Sequence, residues 1–337
     1  MKEAPRLDDI GPPPPGTKEL RSIAPLFEAG ARRRRWPWWL KIGTLALALG
    51  LLVGALGVWL LEREARAVLA AERASGAAPG VVRAGFEPFD RGPRDAEVAV
   101  LLVHGFRSSP ADLCGLDEPL VAAGRRVVAL LLPGHGTCSE DLAAARHGDW
   151  IAAVQDAYAE LAREHAEVHV VGFSLGAATS VVALADSPPE RLVLIAPYFA
   201  ITPRWYAPPS IETWASVAAR FVDFVDSGPV IHGVKDTSAA ADFPFLRVLP
   251  LSAVLESAAV ARAASAPDVL AAHTGRVLTI VSTHDTVADP RAAERAHAHF
   301  THGLARLERV ERSNHVLLWD HDRELVRDLV VTFLTTP

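Results

Sequence analysis

The sequence predicts an α/β fold, a mostly parallel sheet with helices on both faces, preceded by one transmembrane helix. Three observations carry this expectation. Residues 42–61 form one uninterrupted apolar run. From about residue 81, short continuous apolar runs alternate with helix-period patterns. A Gly-x-Ser-x-Gly turn sits between one such run and one such helix.

The apolar run comes first. Ile42 to Leu61 carries no charge, and a helix over it reaches roughly 30 Å at about 1.5 Å per residue, enough to cross a bilayer's hydrocarbon core. Trp36, Trp38 and Trp39 stand at one end and Trp59 at the other, where amphipathic rings favour the membrane interface. Lys41 can snorkel to the headgroups. Residues 36–61 are therefore read as the span, an uncleaved signal anchor. A cleaved signal peptide is the alternative, although its apolar stretch would exceed the usual ~7–15 residues; the Ala-rich segment after Glu62 offers a small-residue cleavage site. Arg32 to Arg35 and Lys41 on one flank outweigh Arg63, Arg66 and Arg73, which are mixed with acids on the other. The positive-inside bias puts residues 1–35 in the cytoplasm and the bulk of the chain across the membrane. Residues 1–35, with Pro12 to Pro15 and no apolar period, read as a disordered tail. Residues 62–80 begin as a charged, Ala-rich helical extension and end in Gly76 and Gly80, which reads as a stalk and linker.

A chain of 337 residues, half of them hydrophobic, holds one large domain or two ordinary ones. Its net charge of -6 argues against a nucleic-acid partner. Two cysteines, Cys114 and Cys138, are too few for a disulfide scaffold and have no C-x-x-C spacing. They fall after adjacent strands on one sheet edge, so a single disulfide and two free thiols both stay open.

Continuous apolar runs mark strands buried on both faces. One such run is Val98 to Val103, and further strands are read at Arg126 to Leu132, Val168 to Val171, Leu192 to Ile195, Val277 to Val281 and Arg306 to Val310. Helical spacing separates them: Leu113, Leu116 and Leu120; Ile151, Val154, Tyr158 and Leu161; a helix from Leu175 to about Ala185; and Leu325, Leu329 and Phe333 last. That alternation implies a parallel sheet. Residues 198–270 break the rhythm and read as an insertion between two core strands. No internal repeat is visible.

Gly172-Phe173-Ser174-Leu175-Gly176 lies directly after a strand and directly before a helix. A turn that sharp leaves no room for side chains at Gly172 and Gly176, and it exposes Ser174 at the sheet's carboxyl edge beside a helix N-terminus. His104-Gly105-Phe106 follows the first strong strand, so the N–H of Phe106 can pair with that of Leu175 as a two-donor oxyanion hole. A serine hydroxyl needs a base, and the base an acid to orient it, in the chain order Ser, acid, His. Asp285 follows the strand at 277–281 closely. Asp289 competes, but it precedes Pro290 and fits a helix N-cap. His315 sits after the last strand and before the last helix. His104 and His135 precede the serine and His284 precedes the acid, which leaves His315 as the base. His104 is read as a structural residue that holds its loop. His297, His299 and His302 cluster without an acidic partner, so no metal is expected there, and no cofactor is expected anywhere.

These residues together resemble the α/β-hydrolase superfamily. Leu101 to Phe106, Leu132-Pro133-Gly134-His135-Gly136-Thr137, the serine turn, Asp285-x-Val287 and Ser313-x-His315 occur in that family's order, over roughly residues 84–337. The set looks most like bacterial carboxylesterases and monoacylglycerol lipases. The resemblance implies a domain over 81–337 with a helical cap at about 198–258, and a loop-shaping role for Gly134-His135-Gly136. It implies hydrolysis of a small-molecule or lipid ester through an acyl-enzyme on Ser174. A peptidase or acyltransferase on the same triad, or a catalytically idle membrane-tethered binding protein, are the alternatives. The membrane segment departs from relatives that are often soluble. Phe199, Ile201, Trp205, Tyr206, Trp214, Phe221 and Phe224 lie in the cap region; they are candidates for an acyl pocket, but most are expected to pack the cap onto the core.

Overall fold

The computed structural model describes residues 37–203, 211–228, 233–300 and 305–336. The expected tail, Trp36, Trp205, Tyr206 and His302 lie outside the described residues. Two units divide the chain, residues 1–56 and 57–337. Helix α1, Trp38–Ala74, contains a stretch of mean hydropathy 2.3 with no buried residue, the one described helix long and apolar enough to cross a membrane.

The second unit is built on seven strands: β1 (Phe89–Arg91), β2 (Val98–Val103), β3 (Arg126–Leu130), β4 (Glu167–Phe173), β5 (Arg191–Ile195), β8 (Arg276–Ser282) and β9 (Ala305–Val310). Their order is β1-β3-β2-β4-β5-β8-β9. All pairs are parallel except β1 with β3. Every residue of β2 is buried, as a strand covered on both faces requires. On one face, Trp150, Val154 and Leu161 of α4 (His147–Glu164) and Val181 of α5 (Leu175–Ala183) form the core. On the other, Leu120 of α2 (Asp117–Ala122) and Val326, Val330 and Leu334 of α11 (Arg323–Thr335) do so. Register aligns the strand ends: Val103 pairs with Gly172, Phe173 with Ile195, and Ile195 with Ile280. The loops after β2, β4 and β8 therefore leave one rim side by side, where parallel sheets bind ligands.

Several expectations shift. The helix read across Leu113 to Leu120 is a short 3₁₀ turn, Pro110–Leu113, followed by α2, because Gly115 breaks the run at φ 75°. β1 has no counterpart in the sequence reading. The insertion holds α6 (Ile211–Ala218), an antiparallel pair β6 (Phe224–Asp226) and β7 (Val248–Pro250), and α7 (Thr237–Asp242). The boundary drawn at 258 falls inside α8 (Leu251–Ala264), whose Ala253, Val260, Ala261 and Ala264 are buried in the same core as Val181.

The segment read as a stalk and linker makes contacts with the insertion. Ala65 and Leu69 are buried against Val248 and Phe224. The Glu62 carboxylate accepts the N–H of Asp223 at 3.0 Å and of Phe224 at 3.2 Å. These two donors belong to the start of β6, which α1 thereby caps. The helix then runs on to Ala74.

Candidate active site

Ser174 occupies the turn between β4 and α5 at φ 51° and ψ -114°, a backbone state that costs an L-residue energy and is held by its surroundings. Its N–H donates to Ile195 O at 2.9 Å, and its carbonyl accepts from Tyr198 N at 3.1 Å. A Cβ at Gly172 would stand 2.5 Å from Ala177 Cα; one at Gly176 would stand 2.2 Å from Val103 O and 2.3 Å from His104 O. Both glycines are therefore required by backbone proximity.

The rim loops converge on the hydroxyl. His315 Nε2 lies 2.8 Å from Ser174 Oγ, and His315 Nδ1 lies 2.7 Å from Asp285 Oδ2. Asp285 Oδ1 accepts the N–H groups of Val287 at 2.7 Å and Ala288 at 2.9 Å, so the carboxylate is fixed from behind. All three side chains are buried. Asp289 caps α10 (Pro290–His297), accepting from Arg291 N at 3.1 Å. Among the described residues, the N–H groups of Phe106 and Leu175 have no hydrogen-bond partner. Phe106 lies in the loop after β2, and Leu175 begins the helix after Ser174.

His104 donates from Nδ1 to Gly105 O at 2.8 Å and accepts Leu132 N–H on Nε2 at 3.0 Å, which pins two rim loops together. Burial, with His135 close by, holds its pKa well below the usual imidazole range. His135 is pushed down to about 4 by burial and packs edge-on against Trp150. Both rings are neutral packing and hydrogen-bonding elements. Cys114 and Cys138 are both free thiols.

A cavity of about 130 Å³ opens beside Ser174 and His315, with apolar walls from Phe106, Phe173, Phe243, Val287 and Val316. Asp112 lies in its wall. Its carboxylate accepts Gly105 N–H at 2.7 Å and the Ser108 hydroxyl at 2.6 Å. Burial pushes this carboxyl up to about 7, against the downward pull of those two donors and of nearby His315.

The model of the alpha/beta hydrolase family matches residues 100–329, well over half of the sequence. The chain belongs to that family. The thermostable monoacylglycerol lipase of Bacillus sp. (strain H-257) is 38% identical over 111 residues, which are 32% of this chain and only 42% of that relative's length. Among solved structures, one of the metagenome-derived lipolytic enzymes LipS and LipT superposes with a TM-score of 0.67 at 24% identity, over 76% of this chain and 100% of the other. The monoacylglycerol lipase of Paleococcus ferrophilus gives 0.62 at 17% identity, over 74% and 98%. At these identities the structural matches speak for the fold. In this member of the alpha/beta hydrolase family four of the aromatics named for an acyl pocket, Phe199, Trp214, Phe221 and Phe224, do not line this cavity. Phe199 is buried in the core, Trp214 and Phe221 are exposed, and Phe224 packs against α1. Phe106, Phe173 and Phe243 take that place.

Three further residues at the site went unread in the sequence. Asp112 carries a weak signal, since Ser109-Pro110 ahead of it is a helix-start pattern and Ser109 Oγ accepts Ala111 N–H. Arg107 follows Phe106 in the loop after β2 at φ 61°. Asp320 is fully buried, and its carboxylate accepts four backbone N–H groups, from Lys235, Asp236, Asn314 and His321. The partners of Arg107, and two of the four of Asp320, are distant in sequence.

Proposed function

We propose that this chain is a membrane-tethered serine hydrolase of carboxylic esters, with Ser174 as nucleophile, His315 as base and Asp285 as its orienting acid. The observation that carries the reading is the unbroken chain of 2.8 Å and 2.7 Å contacts from hydroxyl to imidazole to carboxylate. Asp285 fixes the tautomer with a proton on Nδ1, which leaves Nε2 free to take the Ser174 proton. Oγ then bonds to the ester carbonyl carbon, and the oxyanion accepts the N–H groups of Phe106 and Leu175. The imidazolium returns its proton to the leaving alcohol, giving an acyl-enzyme. Water, deprotonated by His315, releases the acid. Each oxyanion donor is worth about 10²–10³ in rate.

The substrate class follows from the apolar cavity walls and the tether: a lipid-derived ester such as a monoacylglycerol or lysophospholipid. Local similarity to a monoacylglycerol lipase supports the same direction. Residues 36–61 act as the signal anchor, with the N-terminus cytoplasmic and the hydrolase domain on the other side. A reporter active only outside the cytoplasm, fused after residue 337, is expected to be active; an inactive reporter on a full-length fusion reverses the orientation.

The test of the chemistry uses the full chain in detergent, assayed with p-nitrophenyl butyrate and with a fluorophosphonate probe. Wild type is expected to turn over the ester and to label; Ser174→Ala is expected to do neither. Equal rates in the two proteins would remove the assignment. A correctly folded wild type that neither labels nor turns over would favour a binding role.

A further inference from the structure

We infer that Arg107 is a positioning residue for the Phe106 N–H, and that the extension of the membrane helix, residues 62–74, holds Arg107 in place through the β6–β7 hairpin. The inference rests on the hydrolase reading above and adds to it a mechanical link from the tether to the oxyanion hole.

Arg107 adopts φ 61°, the left-handed region that a side chain with a Cβ avoids unless neighbours impose it. The neighbours here come from the cap. Leu246 N–H donates to Arg107 O at 2.7 Å. The guanidinium Nη1 donates to Ser227 Oγ at 2.7 Å and Leu246 O at 3.0 Å, with Arg247 O further off at 3.4 Å. Ser108 Oγ also reaches Pro244 O at 3.1 Å, and the Phe245 ring lies 5.4 Å from the Arg107 Cζ. Burial lowers the guanidinium to about 10, so it stays charged at neutral pH. Residue 107 is thus gripped by main chain and side chain together. The peptide it shares with Phe106 carries the Phe106 carbonyl, and the Phe106 N–H lies in the peptide before that one, two peptide units from the gripped Arg107 carbonyl.

The gripping residues flank the hairpin: Ser227 follows β6 and Leu246 and Arg247 precede β7. Within it, Arg247 pairs with Asp226, at 2.8 Å and 2.5 Å, and Ser227 Oγ donates to Arg247 O at 2.7 Å. Helix α1 packs on the two strands themselves. Glu62 caps the start of β6, and Ala65 and Leu69 pack on Val248. Contacts therefore run without a gap from α1 through β6–β7 to Arg107 and the loop that carries the Phe106 N–H. A double-mutant cycle measures the coupling along this path.

The experiment uses the full chain in detergent with p-nitrophenyl butyrate, comparing Arg107→Met, Arg107→Lys, Ala65→Arg and the double variant Arg107→Met/Ala65→Arg. Misplacing one oxyanion donor predicts a fall in kcat of about 10–10² for Arg107→Met, with KM within about threefold, since the donor acts on the transition state. Arg107→Lys, which retains a cation able to donate to the same carbonyls, is expected to recover part of kcat. Ala65→Arg, which drives a long side chain into the α1–hairpin contact, is expected to lower kcat by about three- to tenfold. The double variant is expected to be no slower than Arg107→Met, because coupled sites are not additive. Arg107→Met within twofold of wild type, or a double variant whose loss is the product of the single losses, overturns the link. If Arg107→Met does not fold, Ser227→Ala with Ala65→Arg completes the cycle under the same criterion. A wild type without Ser174-dependent turnover overturns the hydrolase reading instead, so the two failures are separable.

Discussion

Asp112→Asn is a perturbation whose sign follows from the folded geometry. Asp112 is buried, and its carboxyl is raised to about 7, whereas an unfolded chain titrates it near about 3.9. Between those values the folded state holds a proton that the unfolded state has lost. Stability from this group therefore falls as pH rises through the window and levels off above the folded pKa. Each pH unit inside the window is worth about 1.4 kcal/mol. From pH 5 to pH 8, roughly two of the three units lie within it, which gives about 3 kcal/mol. Asparagine can occupy the site without a new unsatisfied group. Its oxygen keeps the Gly105 N–H bond, and its amide donates to Ser108 Oγ. The Ser108 hydroxyl then turns to Pro244 O, which already lies 3.1 Å away. Urea unfolding of wild type and Asp112→Asn, followed by tryptophan fluorescence at pH 5 and pH 8, measures the difference. Contributions of all other groups cancel between the two proteins. The gap is expected to move by about 3 kcal/mol in favour of the variant as pH rises. A gap constant to about 0.5 kcal/mol would refute the raised carboxyl, and with it the view that this wall of the cavity carries no charge below neutrality.

Other expectations are more local. Gly176→Ala puts a Cβ 2.2 Å from one backbone oxygen and 2.3 Å from another, so esterase activity is expected to fall at least ~10²-fold or the protein to be lost from the soluble fraction of a detergent extract. Asp320→Ala removes the acceptor of four backbone N–H groups in a buried loop; a loss of about 3–5 kcal/mol in urea unfolding is expected, with kcat reduced because Asn314, one of the four, precedes His315. Thiol titration of the denatured, unreduced protein is expected to give two thiols per chain, from Cys114 and Cys138.

What could be read from the sequence was whatever obeyed a short-range rule. A strand buried on both faces is a run of apolar residues, so β2, β4, β5 and β8 stood out. Residues at strand ends in a parallel sheet share a rim, which is why Ser174, Asp285 and His315 were legible as a group before any distance was known. Asp289 was legible as a cap because Pro290 follows it. The unread parts depend on pairings over long separations. β1 is three residues long, with polar Asp90 and Arg91, and exists because β3 offers an edge. β6 and β7 pair across a connection that contains another helix, so no hairpin turn marks them. Glu62 and Arg66 read as stalk charges because their partner, Asp223, lies about half the chain away. Trp214 and Phe221 drew the eye to an acyl pocket by composition alone, whereas side-chain direction sends both to the surface.

The sheet alone is too coarse a device for this site. Neighbouring parallel strands stand about 4.8 Å apart, which brings loop origins together but does not set a hydroxyl and an imidazole to tenths of an ångström. The finer placement comes from the insertion. Gly233 O accepts the N–H groups of His315 and Val316, each at 2.9 Å. Asp320 binds the His315 loop to residues 235 and 236 of the insertion through their N–H groups. Thr202, just after β5, donates its hydroxyl to Asp285 O at 3.0 Å. Residues 244–247 grip Arg107 and Ser108 beside the free Phe106 N–H. The loops of His315, Asp285 and Phe106 are thus all tied to one inserted segment, which also reaches Ser174, whose carbonyl accepts the N–H of Tyr198 at 3.1 Å. A cap that merely covered the cavity would not need those bonds. Their distribution means that movement of this segment, including movement transmitted from α1, changes the geometry of Ser174, His315 and Asp285 as well as access to them.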